Sequence, residues 1–328
     1  VIVVGAGLIG LSSAWYLARN GRKVTVFDRR KAAREASWAG AGMLAPAGEF
    51  EEDSPLLRMS LRSLEMYPRF VRELWDETGV EIDFRACGGL EVALSSGEAE
   101  RLERQAAQRA ALGITSERTS HGGRPARFYP GDATVDPRQL AEALLAGCRA
   151  RGVEIREDEP VREIDRLGRW VRTDTGTHKG DGVLIAAGAW SSGLYDGVPA
   201  TRPVRGHLIS YRLQPGAIGS IVRNGGTYIL QRSSGVVIAG SSTEDAGFEQ
   251  GLDESVVADI ERRVAALIPE LGELAPVARW NGLRPAIEGE GPEIGRVPGT
   301  SVFTAFGHYR NGILLTPETG RLVAELAA

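Results

Sequence analysis

Gly5, Gly7 and Gly10 stand directly behind the apolar run Val1-Ile2-Val3-Val4. Glycines at that spacing, between a buried strand and a helix, suit a ligand that carries a pyrophosphate. The first permits a tight turn, the second lets backbone approach phosphate oxygens, and the third seats the helix against the sheet. Leu8 and Ile9 lie within the turn, and Leu11, Ala14, Leu17 and Ala18 continue the helix. A second apolar segment, Lys23-Val24-Thr25-Val26-Phe27, ends at Asp28, whose carboxylate can accept the hydroxyls of a ribose. An ordinary tight turn of an α/β protein is the alternative. Strand, glycines, helix, strand and acid in order within residues 1–28 favour a dinucleotide site.

Further segments have the composition of a ligand wall. Ser37-Trp38-Ala39-Gly40-Ala41-Gly42-Met43-Leu44-Ala45-Pro46 is dominated by small residues, as expected where backbone passes close to a bulky planar group. Gly182-Val183-Leu184-Ile185-Ala186-Ala187-Gly188-Ala189-Trp190 reads as a buried strand entering a turn, and the carboxyl end of such a strand faces the ligand crevice. The densest chemistry is C-terminal. Trp280-Asn281-Gly282-Leu283-Arg284-Pro285 is followed by Gly307-His308-Tyr309-Arg310-Asn311-Gly312-Ile313-Leu314-Leu315-Thr316 and a helix from about residue 317. The start of that helix carries unpaired N–H groups and a positive dipole end, suited to developing negative charge. Arg29-Arg30-Lys31 could touch a phosphate or ribose on the adenosine side, but a solvated loop is the preferred reading of the run.

Composition narrows the classes. With 39 basic and 43 acidic residues the net charge is -4, which supplies no case for a polyanionic partner. No interleaving of basic and aromatic residues supports nucleic-acid binding, and no His, Cys, Asp or Glu cluster has metal-ligand spacing. Cys87 and Cys148 are too few for a disulfide scaffold and read as free thiols in a reducing compartment. No apolar run is long enough to span a membrane and no leader-like segment precedes the first strand, so the expectation is a cytoplasmic protein.

The elements that must position these residues divide into two lobes. Leu57, Leu61, Leu64, Phe70, Val71 and Leu74 recur at helical spacings, and a polar helix covers about 97–112. Asp136 caps a helix with Pro137 at its first position, and segments from 153 to 172 suggest a small β insertion. Beyond Pro203, short alternating strands at 206–213, 226–231 and 236–241 are separated by hairpin turns and followed by a helix near 254–268. The predicted class is α/β and α+β: a Rossmann-like dinucleotide domain (1–84, 135–205 and 280–328) interleaved with a mainly antiparallel substrate domain (85–134 and 206–279).

Gly5 to Gly10, the Trp38 to Pro46 segment, Gly282-Leu283-Arg284-Pro285 and Gly307 to Gly312 together resemble the D-amino-acid oxidase family, in its glycine oxidase branch, and the likeness covers essentially the whole chain. The resemblance implies non-covalent FAD, a large antiparallel substrate sheet and a homotetramer. It implies oxidative deamination of glycine, sarcosine and other small or N-substituted amino acids, with dioxygen as acceptor and hydrogen peroxide as product. In many bacteria this chemistry supplies the imine of glycine for the thiazole of thiamine. The resemblance assigns Arg284 to the substrate carboxylate, Tyr228 to assist it, and Arg310 to a second carboxylate-side contact. With the residue reading above, the resemblance places the expected cofactor contacts at Gly5, Gly7, Leu8, Ile9, Gly10, Asp28, Arg29, Arg30, Ser37, Ala41, Gly42, Met43, Leu44, Val161, Ala187, Gly188 and Trp190. Gly307, His308, Arg310, Asn311, Gly312, Ile313, Leu314 and Thr316 would wrap the isoalloxazine edge. Asp28 replaces a glutamate common in relatives. Ser242-Thr243 stands where some relatives carry methionine, which would leave a larger or wetter pocket.

Blander readings stand beside these. Arg284 could be an inter-domain salt-bridge arginine, Tyr228 a core aromatic, and Arg310 a brace for its own loop. His308 reads as loop-bracing or flavin-proximal rather than a base, and His207 as a solvated strand end. His121 and His178 read as surface residues. The rival activities are a dehydrogenase of the same fold that passes electrons to a quinone or partner protein, and a flavin-binding protein without turnover.

Overall fold

The computed structural model describes residues 1–50, 52–289 and 291–328, and two large sheets carry most of its architecture. The six-stranded sheet runs in spatial order Glu293–Arg296, Val302–Phe306, Val183–Ile185, Ile2–Val4, Thr25–Phe27 and Glu154–Arg156. Only the first pair is antiparallel. Its central strands are unbroken Val, Leu and Ile runs because both faces are covered. Val3 faces the helices Leu8–Arg19, Pro55–Thr78, Pro137–Ala150 and Thr316–Leu326, packing with Leu11, Trp15, Phe70 and Leu144. Its neighbours Ile2 and Val4 face the other way, onto Val161, Ile164 and Val171 beside a three-stranded sheet. Caps set the helix starts: Asp136 accepts from the Arg138 N–H ahead of Pro137, and Ser54 accepts from the Leu57 N–H ahead of Pro55.

The eight-stranded sheet runs Ala278–Ala286, Arg202–Arg212, Val236–Gly240, Thr227–Gln231, Ile221–Asn224, Gly89–Val92, Arg124–Tyr129 and Glu117–His121. All neighbours are antiparallel except Ile221–Asn224 beside Gly89–Val92. Alternation divides its side chains between two surroundings. Ile209, Tyr211, Ile229, Val237 and Ala239 pack under the helix Glu254–Leu267, while Leu208, Tyr228, Leu230 and Ile238 face Ala41 and Ala45 of the first lobe.

Two details differ from the sequence reading. Glu154–Arg156 does not join the small β insertion; it pairs with Thr25–Phe27 as the edge of the parallel sheet, reached from the helix Pro137–Ala150. The limits drawn at 205/206 and 280 cut through Arg202–Arg212 and Ala278–Ala286, which pair with each other along their length. Arg284 therefore projects from the antiparallel sheet and not from the dinucleotide lobe.

The first helix lies so close to the first strand that a Cβ at Gly10 would sit 1.9 Å from the Gly5 carbonyl oxygen. Gly10→Ala is expected to lower stability by about 1–3 kcal/mol through overpacking. Gly97→Ala, at a helical position where a Cβ meets nothing within 4 Å, should be neutral or stabilising. Paired thermal or urea unfolding curves check both.

Candidate active site

A cavity of about 410 Å³ lies between the two sheets. It extends from Phe27, Asp28 and Val161, past the Gly5–Ile9 turn and the small-residue wall at Ala41–Met43, to Tyr228, Arg284 and the loop that follows Phe306. Two arms of the sequence thus meet in one elongated space.

At the first end, Gly5 adopts φ +110°, and a Cβ there would lie 2.4 Å from the Ala186 carbonyl oxygen. Only glycine lets the two parallel strands turn this close together. The following helix leaves its first N–H groups without intrahelical partners; Ser37 Oγ accepts from the Leu8 N–H at 3.0 Å. Asp28 accepts from the Ala6 N–H at 2.7 Å through Oδ2 and from the Arg30 N–H at 2.9 Å through Oδ1. Burial raises its carboxyl above the usual range, against the pull of those two bonds. Arg29 lies over the Trp190 ring, 3.6 Å from its centre, and pairs with Glu35.

The middle of the cavity is held from behind. Gly42 adopts φ +82°, and a Cβ there would strike the Val135 carbonyl at 1.8 Å. Buried Arg232 donates to the carbonyls of Val135, at 2.8 Å, and Ala41. The C-terminal loop is gripped by the helix Pro55–Thr78: Ser63 Oγ donates to the Leu314 carbonyl at 2.6 Å, and Tyr67 Oη donates to the Ile313 carbonyl. His308 is buried, bonded through Nε2 to Thr319 Oγ1 at 3.1 Å, and burial pulls its pKa down to about 3.

At the far end stand Arg284, Tyr228 and Arg310. Arg284 Nη1 donates to the Ser242 carbonyl at 3.0 Å and Nη2 to Ser241 Oγ at 3.0 Å. Among the described residues no carboxylate lies within ion-pair distance of it, and burial lowers its pKa from the ordinary value. Tyr228 is buried; desolvation raises its pKa, opposed by the charges of Arg284 and Arg310. Arg310 Nε lies 3.5 Å from Glu49 Oε2 and so has a counter-charge of its own.

Of the residues expected at the cofactor, Gly5, Gly7, Leu8, Ile9, Asp28, Arg29, Ser37, Ala41, Gly42, Met43, Val161, Ala187, Gly188, Trp190, His308, Arg310, Asn311, Gly312, Ile313 and Leu314 line the cavity. Five do not. Gly10 faces the Gly5 carbonyl behind the turn, and Leu44 is buried in the helical core. The Arg30 side chain is 62% exposed and reaches towards Glu35. Gly307 backs onto Ile287, and Thr316 is spent on internal bonds to Gly312 and Ser12. His207 is no solvated strand end: it is completely buried, with Nδ1 2.7 Å from Glu244 Oε1. Neither Ser242 nor Thr243 lines the cavity; Ser241 does.

Sequence reasoning missed Glu49, Ser241, Ser63 and Tyr67. The last two carried a signal, since Ser60, Ser63 and Tyr67 interrupt the apolar face of an amphipathic helix with hydroxyls. Among the described residues no group of three potential ligands gathers for a metal, and no helix is long and apolar enough to cross a membrane.

These walls fit an FAD. The glycine turn closes on backbone where any side chain would collide, an acid stands beside it, and one continuous cavity joins both to the antiparallel sheet. The family model described as FAD dependent oxidoreductase matches residues 1–326. The chain is 33% identical to a glycine oxidase of Pseudomonas aeruginosa, over 99% of this chain and 94% of that one. The crystal structure of glycine oxidase from Geobacillus kaustophilus superposes with a TM-score of 0.94 at 30% identity, covering 99% of this chain and 93% of that one. That of iminodiacetate oxidase from Chelativorans sp. BNC1 gives 0.90 at 25% identity, covering 99% and 94%. The chain belongs to the D-amino-acid oxidase family of FAD-dependent oxidoreductases.

Proposed function

We infer that this protein is an FAD-dependent oxidase that oxidatively deaminates glycine and other small or N-substituted amino acids. The observation that carries the reading is Arg284, a half-buried guanidinium at the substrate end of the flavin cavity whose bonds go to neutral acceptors only. A cation partly shielded from water and in that state is completed by a small carboxylate. The similar glycine oxidases and the iminodiacetate oxidase bear names that fit a substrate of this size and charge.

FAD, bound without a covalent bond along the wall from Asp28 to Arg310, would supply the two-electron sink for the substrate's α-hydride, with dioxygen as final acceptor and hydrogen peroxide as product. The chain's own part is binding and orientation. Arg284 grips the carboxylate with the N–H groups it does not spend on Ser241 and Ser242, and Tyr228 adds one hydrogen bond. Fixing the carboxylate aims the α-hydrogen at the flavin. Arg310, already matched by Glu49, contributes positive potential to the same end. Hydrolysis of the resulting imine releases the 2-oxo acid and ammonia or an amine. His308 takes no proton in this scheme, because burial keeps it neutral.

The same reading assigns the enzyme to the reducing cytoplasm, consistent with two free cysteines, and to a homotetramer. Supply of glycine imine for thiamine thiazole is the pathway that the family resemblance favours.

The decisive experiment mixes oxidised holoprotein anaerobically with glycine, sarcosine, N-alkylglycines and D-alanine and follows flavin bleaching, then measures peroxide in air. Rapid bleaching with stoichiometric peroxide is expected. Bleaching without peroxide would make it a dehydrogenase, and no bleaching by any of these would overturn the reading.

Removing the Arg284 guanidinium by R284A is expected to cost about 2–5 kcal/mol of carboxylate binding, seen as a steep rise in KM. Y228F, losing one bond to a charged group, should cost about 1.5–3 kcal/mol by the same assay. A Cβ at Gly206 would sit 2.2 Å from Arg284 Nη1, so Gly206→Ala should raise KM by displacing that side chain.

His308 supplies a pH test. Its folded pKa of about 3 lies below the unfolded value near 6.5, so the unfolded state binds more protons between those limits. Stability must fall as pH falls through that window. His308→Gln should flatten this part of the melting-temperature profile while leaving kcat between pH 6 and 8 free of a new titration.

A further inference from the structure

Arg284 is oriented by a turn, and the turn is oriented by a carboxylate that does not line the cavity. The guanidinium is planar, so the acceptors it bonds on one side dictate where its remaining N–H groups point. Those acceptors are the Ser242 carbonyl and Ser241 Oγ, both at 3.0 Å. Ser242 Oγ in turn donates to Glu244 Oε1 at 2.6 Å and accepts from the His207 N–H at 2.8 Å. The same Oε1 lies 2.7 Å from His207 Nδ1. His207 Nε2 accepts from the Asp253 N–H at 3.2 Å, which leaves the ring proton on Nδ1, donating to Glu244.

The other carboxylate oxygen is also used. Arg205 donates to Oε2 through Nη2 at 2.7 Å and Nε at 3.2 Å, and the backbones of Arg205 and Glu244 pair in both directions. Burial would raise the Glu244 carboxyl, but the bonds from Ser242, Arg205 and His207 bring it below the usual carboxylate range. Arg205 and His207 belong to Arg202–Arg212, the strand paired with Ala278–Ala286, in register Val204 to Arg284. The carboxylate thus ties the Ser241-Ser242 turn to the strand next to the one that carries the substrate arginine.

We propose that Glu244 is a positioning residue for substrate recognition: through Ser242 it sets the direction in which Arg284 presents its free N–H groups, and so sets carboxylate affinity. This rests on the reading of Arg284 as the carboxylate clamp. It also gives buried His207 and the Ser242 departure a shared role.

The test uses flavin-loaded E244Q, whose amide keeps the shape but cannot accept from His207, Ser242 and Arg205 together. The glycine KM should rise by about fivefold or more with kcat within about twofold, and the Kd of acetate, read from the flavin absorbance change, should rise by the same factor. KM and acetate Kd within about twofold of the parent would overturn the proposal. So would a fall in kcat and flavin content with no selective loss of acetate, the mark of general loosening. If E244Q does not accumulate folded, S242A removes the linking hydroxyl and leaves the carbonyl; a rise of about threefold in both constants supports the proposal, and no change overturns it. R284K separates the layers. If R284K raises both constants and E244Q neither, positioning alone fails; if R284K raises neither, the clamp reading fails and the proposal with it.

Discussion

A guanidinium partly withdrawn from water and left with neutral acceptors is an unfinished interaction. Arg284 donates to a backbone carbonyl and a serine hydroxyl, both of which satisfy geometry without cancelling charge. The surrounding protein tolerates this because it over-determines the side chain: Gly206 beneath it leaves no room for a Cβ, and the Ser241-Ser242 turn is itself pinned. Arg310, by contrast, has Glu49. Two arginines in one cavity thus differ in what they still require, and the difference points a small monoanion to one of them.

The two sheets divide the remaining work. The parallel sheet brings a backbone turn to the cavity, which is why Gly5 matters through what it lacks. The antiparallel sheet brings side chains, because its alternation turns Tyr228 towards the cavity and Ile229 under the helix Glu254–Leu267. The ligand wall that faces both sheets is neither. It is the small-residue stretch at Ala41–Met43, held in place by Arg232 from the rear.

What the amino-acid order revealed was local. The Gly5 to Asp28 arrangement, the Asp136-Pro137 helix start and the alternation around Tyr228 each obey a short-range rule, and each is present in the fold. What it concealed depends on distant partners. His207 is buried because Glu244 meets it, and a lone histidine at a strand start carries no trace of that. Glu154–Arg156 pairs with Thr25–Phe27, a choice made by topology and invisible in a triplet with one apolar residue between two charged ones. Residues such as Leu44 and Thr316 sit beside true wall residues in the chain yet point into the interior, since adjacency along a strand or turn does not mean a shared face.

The helix Pro55–Thr78 shows how far the demands of the site reach. Arg58 and Arg69 on its outer side stand in solvent, 54% and 85% exposed, and could be exchanged with little effect. Ser63 and Tyr67 on its inner side hold two carbonyls of the cavity-lining loop. One helix is therefore permissive on one face and as restricted as an active-site wall on the other. Anyone redesigning its surface for solubility has freedom that ends at those two hydroxyls.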